Sequence, residues 1–179
     1  LQVDLTAGVC SDFTIDEARL KKFIGGSSLA ASLYLERFDL HADPLSPENP
    51  LMLINGPMVG SGFPGSSRFA MASKSPQTGI WGEAACGGNF GPELKRAGYD
   101  GIIITGKSPN PVILSITNNQ AEIASADHLW GKDIYETTDL LKAPDKNIKV
   151  MAIGPAGENR VVFSAIANDR AHYIGRTGL

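Results

Sequence analysis

The chain opens on alternation. In Leu1-Gln-Val-Asp-Leu-Thr6 apolar and polar positions take turns, the period-two pattern of a half-buried strand. The period then lengthens. Thr14, followed three residues on by Glu17, has the form of a capping box and predicts a short helix to about Phe23, ended by Gly25-Gly26. From Leu29 to about Phe38 the positions Leu29, Leu33 and Tyr34, flanked by Ala30 and Phe38, share one face at helical spacing, with Ser27 or Ser28 as the cap. The proline-rich run Asp43-Pro-Leu-Ser-Pro-Glu-Asn-Pro50 reads as a surface crossing into a strand at Leu51 to Ile54. Further strands are predicted at Arg68 to Lys74, Gly101 to Thr105, Val112 to Thr117, Gln120 to Ala124, Lys149 to Ile153 and Val161 to Ile166. Helices are predicted at Pro92 to Ala97 and Asp133 to Lys142, and Asn118-Asn119 predicts a hairpin turn. Strands grouped by threes or more around few helices favour an α+β domain over regularly alternating α/β, and no internal repeat is visible.

Composition adds where to look. Twelve of the twenty glycines fall between Gly56 and Gly106, so backbone with unusual torsions dominates the middle of the chain, and local function is expected there. The 179 residues suit one domain with a real core, 1–179. A start at Leu1 rather than methionine, and an end directly after Gly175-Arg-Thr-Gly178, read as a domain cut at both ends. With 42% hydrophobic and 20% charged residues the chain is ordinary for a globular protein. No apolar run reaches about 18 residues and no basic-then-apolar leader precedes one, so neither a membrane span nor a secretory signal is expected. Two cysteines, Cys10 and Cys86, make no disulfide framework, which points to a reduced, cytoplasmic setting. Sixteen basic against nineteen acidic residues give a net charge of -3 and exclude a broad footprint for nucleic acid or anionic lipid. Any bound anion must be held locally.

Three segments could hold one. Gly82-Glu-Ala-Ala-Cys-Gly-Gly-Asn-Phe-Gly91 runs into Pro92, which is well placed in the first turn of a helix. Amides unobstructed by side chains beside a helix N-terminus suit an anion. The spacing fits neither the P-loop nor the dinucleotide fingerprint, and the alternative is a glycine-rich connection packed tightly between strands. Arg68, in Pro64-Gly-Ser-Ser-Arg68, offers a planar fork to phosphate or a pterin edge, with Lys74 further along; its plainer reading is a solvated strand charge. The third is Arg170-Ala-His-Tyr-Ile-Gly-Arg-Thr-Gly178. Together they favour one shared phosphate-bearing ligand. Conventional catalytic groups are scarce: His41 and His128 read as surface or packing residues, and Glu83 with Glu93 makes no carboxylate pair by spacing. Cys86 is either a thiol acidified by helix amides or a small residue that fits.

Read together, these segments resemble the N-terminal domain of the aldehyde:ferredoxin oxidoreductase family. The resemblance runs through Phe23-Ile-Gly-Gly26, Pro44-Leu-Ser-Pro-Glu-Asn-Pro-Leu51, Lys74-Ser-Pro-Gln-Thr-Gly79, Gly87-Gly88, Phe90-Gly-Pro-Glu-Leu-Lys95, Ala97-Gly-Tyr-Asp-Gly-Ile-Ile103, His128-Leu-Trp-Gly-Lys132, Ile153-Gly-Pro-Ala-Gly-Glu-Asn159 and Gly175-Arg-Thr-Gly178. It implies two packed β-sheets with a few short helices, supporting tungsten or molybdenum carried by two molybdopterins whose phosphates are joined by magnesium. By that resemblance Arg68 is the pterin-contacting arginine, and Ala85 and Tyr173 offer backbone carbonyls to the magnesium. Gly87, Gly88, His172, Gly175 and Arg176 complete the cofactor contacts. Where relatives carry an arginine this chain has His172, and it has Tyr173 and Ile174 for alanines and Ser27 for another arginine. The implied parent oxidises aldehydes to carboxylic acids and passes electrons through a 4Fe-4S cluster, bound by its later domains, to ferredoxin. A homodimer is among the assemblies the resemblance allows. A diverged scaffold without metal and an acyl-CoA-reducing relative are the alternatives, and catalytic residues are expected only in the later domains, leaving this segment inactive alone.

Overall fold

The computed structural model describes residues 1–178. Its largest element is a six-stranded sheet in the order β2-β1-β6-β3-β4-β5. The strands are β1 (Gln2–Asp4), β2 (Val9–Ser11), β3 (Leu51–Asn55), β4 (Phe69–Lys74), β5 (Trp81–Cys86) and β6 (Gly101–Thr105). Only β1 and β6 run parallel; the other neighbours are antiparallel. The central strands read Leu-Met-Leu-Ile and Gly-Ile-Ile-Ile because both of their faces are covered, which removes the polar half of a strand's alternation.

Helices α1 (Glu17–Phe23) and α2 (Gly26–Arg37) belong to one side. Leu29, Ala30, Leu33 and Tyr34 of α2 pack on Met52, Ile54, Ala72 and Ile103. The opposite face carries Leu53, Phe69, Met71, Ala84, Cys86 and Ile102 and meets a second β layer. That layer comes in two small sheets: the hairpin β7 (Val112–Thr117) with β8 (Gln120–Ser125), and β9 (Met151–Ala152), β10 (Ile166–Asn168) and β11 (His172–Ile174) in the order β11-β10-β9. Leu114, Ile116, Ile123, Met151, Ile166 and Ile174 close onto the large sheet. Short helices α3 (Phe90–Arg96), α4 (Ile134–Lys142) and α5 (Pro155–Glu158) complete the α+β fold. The hairpin turns as expected, with Asn118 and Asn119 both at positive φ between the paired Thr117 and Gln120.

Several boundaries differ from the sequence expectation. The first strand stops at Asp4, because the Asp4 carboxylate accepts the N–H groups of Thr6 and Ala7 and turns the chain. The cap of α1 is Asp16, which accepts from the Arg19 N–H at 2.8 Å, rather than Thr14. No serine caps α2: the helix begins at Gly26, and no side chain bonds its first amides. Helix α3 begins at Phe90, two residues before Pro92. The largest correction is at Gly82 to Cys86, expected as loop, which is the edge strand β5 paired residue for residue with β4. The predicted strand from Val161 survives only at Ile166; Val162 and Phe163 are exposed in turns.

The layer assignment has a measurable consequence. Leu33→Ala is expected to cost about 2 to 5 kcal/mol in urea unfolding, the loss of a buried leucine with a cavity left behind. Leu35→Ala, at a 68% exposed position on the same helix, should stay within about 0.5 kcal/mol of the parent.

Candidate functional site

The site forms where β5 ends. Its outer edge has no ladder partner in the six-stranded sheet, and the C-terminal segment lies against it. At one end of the strand Ser75 Oγ donates to the Thr177 carbonyl at 2.5 Å, and Gly82 has no room for a Cβ because Thr177 Oγ1 occupies that space. At the other end Asn168 Nδ2 donates to the Gly87 carbonyl at 2.8 Å. Residues 102 and 81 positions apart in the chain are thereby joined.

Gly88 is the most confined position. Its φ is +89°, and a Cβ there would sit 2.9 Å from Asn168 Nδ2 and 3.1 Å from His172 Nδ1. A side chain at Gly87 would approach the His172 ring at 3.7 Å. Asn168 and His172 are cross-strand partners in β10 and β11, so the hairpin presents both against one glycine pair. Arg68 immediately precedes β4, whose Phe69 and Ala70 pair with Cys86 and Ala85, so strand register brings Arg68 to the same corner. Ala85 is exposed on the α2 side of the sheet. The start of α2 comes close: the Cβ direction of Gly26 points at Ala70, the partner of Ala85. Its uncapped first amides add a partial positive charge that the sequence reading did not assign to the site.

Arg68, Ala85, Gly87, Gly88 and His172 are thus assembled at one corner, and Tyr173, Gly175 and Arg176 follow His172 along the chain, exposed. Their side chains do not all face it. The Tyr173 hydroxyl donates to the Arg170 carbonyl at 3.2 Å. Arg170 itself is committed to α4, ion-paired with Asp139 and donating to the Tyr135 carbonyl at 2.7 Å, so its charge is not free for the corner. Cys86 is 2% exposed. Burial pushes its thiol up, and the Asn168 hydrogen bond and the Arg68 guanidinium oppose that shift without cancelling it. It is a packing residue, not an activated nucleophile. Among the described residues no three His, Cys, Asp or Glu side chains are grouped to hold a metal. What the corner offers instead is backbone amides, backbone carbonyls and the Arg68 guanidinium, a set that fits a phosphate-bearing group with a bridging hard cation. Two residues that spacing alone did not reveal, Asn168 and Asn55, act over long range; Asn55 Nδ2 donates to the Gly91 carbonyl at 3.1 Å, which anchors the start of α3.

Comparison with known proteins assigns the family. Residues 1–179 match the model of the aldehyde ferredoxin oxidoreductase N-terminal domain. The chain belongs to this family. Across its whole length it is 42% identical to the tungsten-containing aldehyde ferredoxin oxidoreductase of Thermococcus kodakarensis and 41% identical to that of Pyrococcus furiosus. It spans 30% of the length of each of these relatives. Among solved structures it superposes with a TM-score of 0.94 on a chain of the BamBC active-site complex of benzoyl-coenzyme A reductase, solved with 1,5-dienoyl-CoA, at 38% identity. That likeness covers 99% of this chain and 27% of the other. The α+β architecture is accordingly that of an aldehyde ferredoxin oxidoreductase N-terminal domain. No helix among the described residues is long and apolar enough to cross a membrane.

Two outcomes are expected of the geometry. Gly88→Ala should destabilise the chain by roughly 1 to 3 kcal/mol in urea, since it forces a Cβ into a left-handed position against Asn168. Because folding raises the Cys86 pKa, its contribution to stability is complete below the ordinary thiol range and is lost as pH climbs through the raised value. Iodoacetamide at mildly alkaline pH should therefore spare Cys86 in the folded chain and label it in urea; rapid native labelling would contradict the assignment.

Proposed function

We propose that this domain holds a tungsten-bearing bis-molybdopterin cofactor for a parent oxidoreductase that converts aldehydes and water to carboxylic acids, two protons and two electrons. The observation that carries the proposal is the meeting of Gly87 and Gly88, which follow Ala85 at one end of β5, with Asn168 and His172, while the chain from Tyr173 to Arg176 continues along the same strand edge toward Thr177. When bound, the cofactor supplies the two-electron redox centre, and the protein supplies orientation and electrostatics. Arg68 presents its guanidinium fork to a phosphate or pterin edge, and the Gly87 and Gly88 backbone admits close approach. The carbonyls of Ala85 and Tyr173 would be the ligands this chain offers to a magnesium ion; ligation through backbone oxygen survives the change of side chain at Tyr173. Gly175 and Arg176 continue the second loop, and His172 lies over Gly87 and Gly88.

The electrons would leave through a 4Fe-4S cluster held by the remaining part of the parent, with ferredoxin as acceptor. The names of the relatives support tungsten over molybdenum and ferredoxin as partner. A second reading, reduction of an acyl-CoA-type substrate on the same cofactor, is supported by the structural neighbour with its dienoyl-CoA ligand. The substitutions at His172 and Tyr173 define a third, a scaffold that carries no metal.

Production of the full-length parent with tungstate or molybdate separates the three. Near-stoichiometric metal with pterin fluorescence, and viologen reduction driven by aldehyde, is the expected result. Viologen reduction that requires a CoA thioester instead of an aldehyde favours the second reading, and absence of both metal and pterin establishes the scaffold. The isolated domain should turn over no aldehyde with either acceptor.

A further inference from the structure

What holds Gly87 and Gly88 in place is a side chain that glycine spacing does not single out. We propose that Asn168 is a positioning residue of this site: its buried amide draws the Gly87 carbonyl into the core and thereby aims the Gly88 N–H at the bound anion. The inference rests on the reading of the corner as a phosphate-bearing cofactor site.

Asn168 is 0% exposed at the end of β10. Its Nδ2 lies 2.8 Å from the Gly87 carbonyl oxygen and 3.7 Å from Cys86 Sγ, and these hydrogen bonds tie Cys86 and Gly87 to β10. Its Oδ1 has no donor among the described residues. A buried amide with half of its hydrogen-bonding capacity unmet is unfavourable, so whatever keeps an asparagine here acts through the donor half. That half fixes a direction. No peptide bond in the described chain is cis, and in a planar trans peptide the C=O and the following N–H point opposite ways. With the Gly87 carbonyl turned toward Asn168, the Gly88 N–H points away from Asn168.

Among the described residues the amides of Gly87, Gly88 and Asn89 have no backbone acceptor. The confinement is mutual. The positive φ of Gly88 and the absence of room for a Cβ leave glycine as the residue that fits between Asn168 and His172. Asn55 repeats the device on the far side of the loop. It is 4% exposed, donates from Nδ2 to the Gly91 carbonyl, and also leaves its Oδ1 without a donor. The segment from Gly87 to Gly91 is therefore gripped by two buried amides, from β3 and from β10, each turning a carbonyl inward.

The test uses the full-length parent produced with tungstate. Asn168→Asp keeps the shape and removes the N–H donor, Asn168→Ala removes the side chain, and Asn49→Ala is the comparison. Asn49 bonds the carbonyls of Pro44 and Lys74, away from the glycine loop. Three quantities are read: tungsten and pterin per polypeptide, the rate at which tungsten passes to a chelator, and the melting temperature. Both Asn168 variants should hold tungsten about ten- to a hundredfold less tightly, as expected for a group that orients a binding element from behind. Asn49→Ala should melt earlier with wild-type tungsten content. Wild-type content and loss rate in both Asn168 variants would overturn the proposal. Should neither variant accumulate, hydrogen exchange in the wild-type parent decides: the Gly87 to Asn89 amides should exchange more slowly in loaded than in cofactor-free protein, and equal rates overturn the proposal. A wild-type parent without tungsten or pterin refutes the cofactor reading itself, a result visible before any substitution is made.

Discussion

The open edge of β5 is the constraint on which the rest depends. An edge strand presents unpaired N–H and C=O groups and must be covered, twisted away or charged. Here the covering element is the segment from β10 through Thr177, pinned near one end of the strand by Ser75 with Thr177 and at the other by Asn168 with Gly87. Covering the edge is what brings His172 over Gly87 and Gly88 and carries Arg176 toward the same strand. The site is thus a by-product of finishing a sheet: the backbone groups at the end of β5, which have no further strand to pair with, are the groups left to face a ligand.

This origin explains which parts were legible in the sequence. The central strands could be read because Leu51 to Ile54 and Gly101 to Thr105 are apolar on both faces. The helix α2 could be read because Leu29, Leu33 and Tyr34 recur at its period. Strand β5 could not, although it alternates: Gly82, Ala84 and Cys86 are buried while Glu83 and Ala85 are exposed. Its buried residues are all small, Gly82 because Thr177 crowds it, so the alternation carries no hydrophobic contrast, and a run of small residues looks like loop. The opposite error arises at Val161 to Phe163, which has strand composition but leaves Phe163 70% exposed. Strands of two or three residues, such as β9 to β11, are too short to express a period at all. Arg68, Gly87 and Gly88 were recognisable as residue types suited to an anion. Asn168 was not, because its partners lie 81 and 82 positions away and no local pattern encodes them.

Charge at the corner is supplied more by backbone than by side chains, which suits a chain whose net charge is -3. Arg170 is spent on Asp139 and the Tyr135 carbonyl, and Lys142 pairs with Asp169 at 2.7 Å; both contacts bind α4 to the turn between β10 and β11. That turn contains Asp169 and Arg170 at φ of 48° and 66°, a conformation non-glycine residues adopt at some cost. The two ion pairs act on the hairpin's geometry, not on a ligand, and they set where β11 returns.

A site made of amides and carbonyls tolerates side-chain drift better than one made of charged groups, since a carbonyl at Tyr173 is the same ligand as a carbonyl at alanine. What it does not tolerate is loss of the backbone conformation. That is why the departures at His172, Tyr173 and Ser27 weigh less against cofactor binding than their number suggests. The weightier features are the ones that make folding harder: Gly88 at positive φ with no room for a side chain, and two buried asparagine amides each with an unpartnered oxygen. In a domain that served only as a scaffold these positions would lower stability with nothing gained in return, because a relaxed loop and apolar side chains of similar volume would close the same edge more favourably. Their presence in one chain, all acting on the segment from Gly87 to Gly91, is the physical argument for the cofactor role proposed for this corner.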